Sequence, residues 1–169
     1  MSTATLAHST PQRLVVECRG GSLARAEGRT PAPDDQGDLE MARWKALIDD
    51  TAARDRATPV TAVFFGGANL ITGYRLYYLL RYAKRAGLSD VTLLTDGGFW
   101  IDEATAWLME SDVDRIAVVA AGAADGIEVL IAILESTCAA AGRSRPEVVR
   151  VSPGEVHADR TINWRGEES

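Results

Sequence analysis

The sequence has 169 residues, 46% of them hydrophobic, which is enough for one domain with a single buried core and too few for two. It carries 18 Lys and Arg against 24 Asp and Glu, a formal charge of -6, so it presents no field that attracts nucleic acid or an anionic membrane surface. Its apolar stretches are far shorter than the roughly 20 residues that cross a bilayer, and no secretory pattern opens the chain, so we expect a cytoplasmic protein.

The two cysteines, Cys18 and Cys138, lie far apart and have no Cys or His neighbour at metal-ligand spacing. This pattern favours neither a zinc site nor a disulfide framework. We therefore expect two reduced thiols, no metal and no cofactor.

Along the chain, the first 12 residues are small and polar without a period, and they are predicted to be a disordered leader. Residues 22–37 are rich in Gly, Pro and Asp, which predicts a long loop. Asp38 is the predicted N-cap of the helix that follows. Residues 13–154 are predicted to form the domain, and 155–169 a C-terminal tail. Strands are predicted at 13–18, 60–65, 91–95, 115–120 and 147–151, and helices at 38–54, 73–86, 102–110 and 125–141.

Five strands, each apolar nearly throughout and separated by helices, predict an α/β fold with a parallel sheet, a partial (β/α)n barrel of about five strands. Such sheets bind ligands beyond the carboxyl ends of their strands. Candidate functional residues are therefore those directly after each strand, including Gly66 and Gly67 after the second and Asp96 after the third.

Four segments in conserved order resemble the radical S-adenosylmethionine (SAM) superfamily, particularly its peptide-modifying branch with SPASM-type extensions. Trp44-Lys-Ala-Leu-Ile-Asp-Asp50 resembles the first barrel helix, and Val63-Phe-Phe-Gly-Gly-Ala-Asn-Leu70 resembles the strand that bears a G-G-E-P-L motif. Tyr82-Ala-Lys-Arg-Ala-Gly-Leu88 with Val91-Thr-Leu-Leu-Thr-Asp-Gly97 is similar to a helix and a T-N-G strand end. Residues 101–106 with 113–116 match the next unit, and Asn163-Trp-Arg-Gly166 resembles the N-W-x-G start of a SPASM extension.

The resemblance implies a C-x-x-x-C-x-x-C motif after the first strand, which holds a four-iron cluster, and this motif is absent. If Leu23 aligns with the family's leucine, then Gly21, Arg25 and Gly28 occupy the three ligand positions. Ala68 replaces the carboxylate that contacts the SAM amino group, and Asn69 replaces the next proline. The resemblance thus implies a radical SAM-like fold that has lost its cluster chemistry.

From the same comparison, the predicted ligand-binding residues are Gly66, Gly67, Asn69, Thr95 and Asp96, and no catalytic residue is assigned. The two glycines form either an anion pocket of exposed backbone amides or a tight turn, and the turn is the favoured interpretation. Asp96 is either a general base or amine ligand, or an ordinary turn residue, and again the turn is favoured.

Tyr74, Tyr78 and Tyr82 recur on one helix face, either as a surface for a partner or, as we favour, as a half-buried stripe packed on the sheet.

The leading hypothesis for function is a non-catalytic, degenerate radical SAM-like protein that binds a partner, either a second copy of itself or an enzyme or peptide of a biosynthetic pathway. A second hypothesis is a small cofactor-free enzyme that uses Asp96, with His157 or Asn69, for acid/base chemistry at the barrel mouth. A mouth lined by Val119, Ala120 and Phe65, or plugged, would argue against that enzyme. A third is a sensor that binds SAM or a related nucleoside without cleaving it.

Overall fold

The computed structural model describes residues 12–66, 70–97, 102–119, 124–156 and 158–168. Most of the predicted leader, Gly67, Asn69 and His157 lie outside these ranges. The strands are β1 (Leu14–Glu17), β2 (Val60–Phe64), β3 (Val91–Thr95), β4 (Arg115–Val119), β5 (Glu147–Val151) and β6 (Arg160–Ile162). The helices are α1 (Ser22–Ala26), α2 (Met41–Arg54), α3 (Leu70–Arg85), α4 (Asp102–Glu110) and α5 (Ala124–Ala141).

The strands form one parallel sheet in the order β5-β4-β3-β2-β1-β6, with β5 and β6 at opposite edges. The sheet is open and not closed into a barrel. The predicted α/β fold is confirmed, but among the described residues the sheet has six strands where about five were expected.

Alternation along the strands divides the core into two layers, because successive side chains of a strand point to opposite faces. The outer layer packs one face of the sheet against α2 to α5, with Trp44 and Ile48 of α2 fully buried there. The inner layer packs the opposite face of the sheet around Val63, Leu94 and Ala117. Since both faces are covered along much of their length, the central strands are mostly apolar, with buried threonines at Thr61, Thr92 and Thr95.

The predicted loop at residues 22–37 contains a helix that the sequence analysis missed. α1 has only five residues, too few to show a helical period, and Ala26 at its end is completely buried in the inner layer. Tertiary packing therefore stabilises a segment whose Gly- and Pro-rich surroundings predicted irregular structure.

The predicted N-cap, Asp38, is also wrong. Asp38 forms an isolated backbone bridge with Arg19, and the Leu39 N–H donates to the Cys18 carbonyl at 2.9 Å. This pairing holds residues 38 and 39 in an extended conformation, so α2 begins at Met41 after the extended Glu40.

The sixth strand lies in the segment predicted as a tail. Arg160–Ile162 pairs in parallel with β1, and Ile162 is 6% exposed in the outer layer. The chain then turns back, with an antiparallel bridge between Ile162 and Glu168. β6 therefore covers the outer edge of β1.

Candidate functional site at the mouth of the sheet

We call the edge at which β1 to β5 reach their carboxyl ends the mouth of the sheet. Helix α1 crosses it and is bonded to three neighbouring segments. The Leu23 N–H donates to the Glu17 carboxylate at the end of β1, at 2.9 Å. The Ser22 hydroxyl accepts the Phe65 N–H just after β2 at 2.9 Å, and the Gly154 N–H after β5 donates to the Ala26 carbonyl at 3.0 Å. The helix is therefore a fixed cover.

Beneath this cover the inner layer is apolar. Phe65 and Val119, each 4% exposed, pack with the fully buried Ala26 and with Leu23 of α1. The described inner layer beneath α1 is thus lined by hydrocarbon at Phe65 and Val119.

Glu17 is a buried carboxyl that the sequence analysis did not single out, because it sits within an apolar run. It is 4% exposed and accepts the Leu23 N–H and, at 3.4 Å, the Trp164 N–H. Burial raises the pKa of Glu17, and the Asp35 carboxylate raises it further, while the amide donors act in the opposite direction. Glu17 connects β1, α1 and the C-terminal turn.

Three predicted site residues, Gly66, Thr95 and Asp96, lie together beside α1. The Gly66 N–H donates to both carboxylate oxygens of Asp96 at 3.2 Å. Thr95 is fully buried, and its hydroxyl accepts the Gly97 N–H at 3.1 Å. These contacts favour the turn interpretation. Asp96 follows β3, but its carboxylate stabilises the turn after the neighbouring strand, β2. Gly67 and Asn69 are predictions that fall outside the described residues.

Two arginines that the prediction of site residues did not include flank Gly66. A Cβ atom built on Gly66 would lie 3.7 Å from Arg25 Nη1 and 3.9 Å from Arg19 Nη1, with no other described side chain or loop within 4 Å. Arg19 also pairs with Asp38 at 4.0 Å and lies over the Phe64 ring. In the sequence, only the alignment of Arg25 with a cluster ligand pointed to either arginine. Arginines in a loop follow no helical or strand periodicity that would reveal them.

The residues present do not fit an iron–sulfur cluster. Gly21, Arg25 and Gly28 stand in the positions implied by the resemblance, and none offers a thiolate. Cys18 is buried in the outer layer, where its S–H contacts the Val16 carbonyl and burial raises the pKa of the thiol. Cys138 lies on α5 in that same layer, away from the mouth.

The predicted tyrosine stripe on α3 is divided between surface and core, so the prediction that it packs on the sheet is wrong for its first member. Tyr74 is 53% exposed, whereas Tyr82 is half-buried against the outer layer. Tyr74 instead forms an aromatic cluster with Tyr77 and with Trp107 of α4, at centroid distances of 6.0 Å. Within the described chain no helix is long and apolar enough to span a membrane.

Neither protein-family models nor curated proteins match the chain. Among solved structures it is similar to BtrN, a radical SAM enzyme, in complex with AdoMet and 2-DOIA. The TM-score is 0.66 and the identity 14%, over 95% of this chain and 73% of BtrN. The fold is radical SAM-like. Selenomethionine BtrN in an open conformation is also similar, with a TM-score of 0.53 and 16% identity over 92% of this chain and 62% of that one. At such identities the likeness shows the fold alone.

Proposed function

We propose that this protein is a non-catalytic, degenerate radical SAM-like domain that acts as a binding or partner protein in a peptide or natural-product biosynthetic pathway. One observation carries the proposal: α1 covers the mouth and presents Arg25 where the resemblance implies a thiolate ligand. The Asn163–Gly166 turn, with its likeness to the start of a SPASM extension, supports a pathway of peptide modification. We place this role in the cytoplasm.

The mouth gives less support to the cofactor-free enzyme. A general base must reach the proton that it removes. Both oxygens of Asp96 contact the Gly66 amide, and the space below is occupied by Phe65 and Ala26. The carboxylate therefore has a structural role that accounts for its position.

An aromatic patch on α3 and α4 supports partner binding. We define the patch as Ile71, Tyr74 and the half-buried Trp107; Tyr77, only 8% exposed, packs against the two rings. Ile71 is 74% exposed and Tyr74 53% exposed, one turn apart on α3. Large exposed apolar side chains beside Tyr and Trp are typical of the centre of a protein interface.

A second copy of the chain is the other partner we propose, and the sheet offers it an edge. Within the described ranges β5 pairs only with β4, so its outer edge presents backbone donors and acceptors. Next to it, the inner face opens toward the amino ends of the strands as a groove of about 310 Å³ lined by Thr61, Thr92 and Val149.

Affinity capture from the native host tests the proposal when it is combined with substitutions at matched positions. Ile71→Ser should remove the captured partner without unfolding the domain. Ile133→Ser is the control, because Ile133 is a 38% exposed isoleucine on α5, away from the patch. The partner should be an enzyme or peptide of a biosynthetic pathway.

Light scattering on the purified protein separates the two kinds of partner, since a homo-oligomer forms without lysate. A monodisperse monomer that captures no pathway component would contradict the proposal. Cleavage of SAM to deoxyadenosine by the purified chain would contradict its non-catalytic part.

A further inference from the structure

The space between Arg19, Arg25 and Gly66 is shaped for an anion. The two Nη1 atoms lie within 4 Å of the same point above the Gly66 Cα, so they are at most about 8 Å apart. Gly66 has φ +105°, a conformation that side-chain-bearing residues rarely adopt, and apart from its chain neighbours the two Nη1 atoms are the only described atoms within 4 Å of the position that a Cβ would take.

The charges around this space are unevenly satisfied. Arg19 is held in place by Asp38 and by the Phe64 ring. Arg25 is exposed, and its guanidinium has no hydrogen-bond or ion-pair partner among the residues that the structure describes. Two guanidinium groups this close repel each other, and an anion between them would relieve that repulsion.

We infer that this space binds a phosphate group, held by Arg25 and Arg19 over Gly66. Charged hydrogen bonds from guanidinium to phosphate are about 2.8 Å long, so one phosphate with oxygens on opposite sides can bridge nitrogens at this separation. Arginine is also the side chain best suited to share several phosphate oxygens. Asp96 remains on the Gly66 amide and helps to fix the turn.

The inference deepens the proposed function. It rests on that proposal in one respect: both assign the mouth to binding and not to catalysis. The phosphate group can come from free phosphate or from a phosphorylated metabolite. Both sources present the same oxygens to the two arginines, and they differ in whether the rest of the ligand adds affinity.

The test is a titration of the purified protein with inorganic phosphate and, separately, with ribose 5-phosphate, followed by ¹H–¹⁵N NMR at constant ionic strength. Shifts should concentrate on the amides of α1 and Gly66. Arg25→Gln should weaken binding about tenfold or more, because it removes a charged hydrogen bond. Arg54→Gln is the matched control, since it removes an equal charge from an exposed arginine at the end of α2 and should change the Kd less than about twofold.

Equal affinity for both probes would assign the site to free phosphate, and tighter binding of ribose 5-phosphate would assign it to a phosphorylated metabolite. The inference is overturned if neither probe shifts these amides, or if Arg25→Gln, with an unchanged thermal melt, binds as well as the unmodified protein. This assay contains no partner protein, and the capture experiment alters Ile71 on α3, so either idea can fail while the other stands.

Discussion

Substitutions at Gly66 and Asp96 measure how much the contact between them at the mouth contributes to the free energy of unfolding. Gly66→Val should destabilise the fold by about 2–3 kcal/mol, because a β-branched residue is strained at φ +105°. Asp96→Ala removes the acceptor of the Gly66 N–H at 3.2 Å. Since Asp96 is exposed and water can replace it, we expect a smaller cost of about 1 kcal/mol.

Two milder substitutions separate the causes. Gly66→Ala imposes the backbone strain without β-branching, and its methyl group would meet no described atom closer than 3.7 Å, so its cost should fall between those of the first two variants. Asp96→Asn keeps an oxygen that can accept the Gly66 N–H and should be more stable than Asp96→Ala. The measurement is the free energy of unfolding from urea titrations followed by tryptophan fluorescence.

An unfolding free energy of Gly66→Val equal to that of the unmodified protein would refute the claim that the turn requires glycine. If Asp96→Asn and Asp96→Ala both unfold like the unmodified protein while a catalytic activity disappears in each, Asp96 acts as a chemical group, and the enzyme hypothesis would replace ours.

Three further predictions concern the C-terminal strand, the buried carboxyl and the cysteines. Ile162→Ala should lower the free energy of unfolding by about 2–3 kcal/mol, and Ile133→Ala, as an exposed control, by less than about 1; equal costs would show that β6 is not part of the core. Burial raises the pKa of Glu17, so the stability that this carboxyl contributes is complete below its ordinary pKa and is lost as pH rises through the folded-state pKa. The free energy of unfolding of the unmodified protein, relative to that of Glu17→Gln, should therefore fall between acidic and neutral pH. A difference that stays constant with pH would contradict the raised pKa. Anaerobic reconstitution with iron and sulfide should give no stoichiometric cluster, and iron analysis finding about four irons per chain would disprove this.

The parts of the fold that sequence predicted best are those whose signal is local. The bounds predicted for β3, α4 and β5 agree with the structure, and the remaining long helices differ by a few residues at their starts. Buried parallel strands are continuous apolar runs, and glycine marks their ends, so periodicity and turn residues suffice. Gly87, with φ +92°, follows the end of α3 in the left-handed conformation that glycine adopts without strain.

The parts that were missed depend on contacts distant in sequence. α1 and β6 are five and three residues long, and each is stabilised by burial of an apolar residue against another element, Ala26 in one case and Ile162 in the other. Asp38 is a residue type that often caps a helix, but its backbone pairs instead with that of Arg19, just beyond β1. Tertiary contacts decided these segments, and no local pattern reports such contacts.

For the candidate site, the sequence could give the placement of two residues but not of the arginines beside them, and the ligand-binding role stays a prediction. Parallel strands place Gly66 and Asp96 at one edge, so their proximity followed from the fold. The positions of the arginine side chains did not follow, because Arg19 and Arg25 reach Gly66 through the path of a loop that had no predicted structure.

The sign of the charge at the mouth connects these findings. An iron–sulfur cluster is held by thiolates, which are anionic ligands around metal cations. Arg25 places a permanent cation in that region, since a guanidinium does not lose its proton in proteins, and Arg19 lies within reach of the same point above Gly66. Under our proposal, the two guanidinium groups therefore favour an anion over a metal ion at this point. The described part of the mouth therefore carries a guanidinium group where the resemblance implies a thiolate, and the proposed phosphate site follows from that difference in charge.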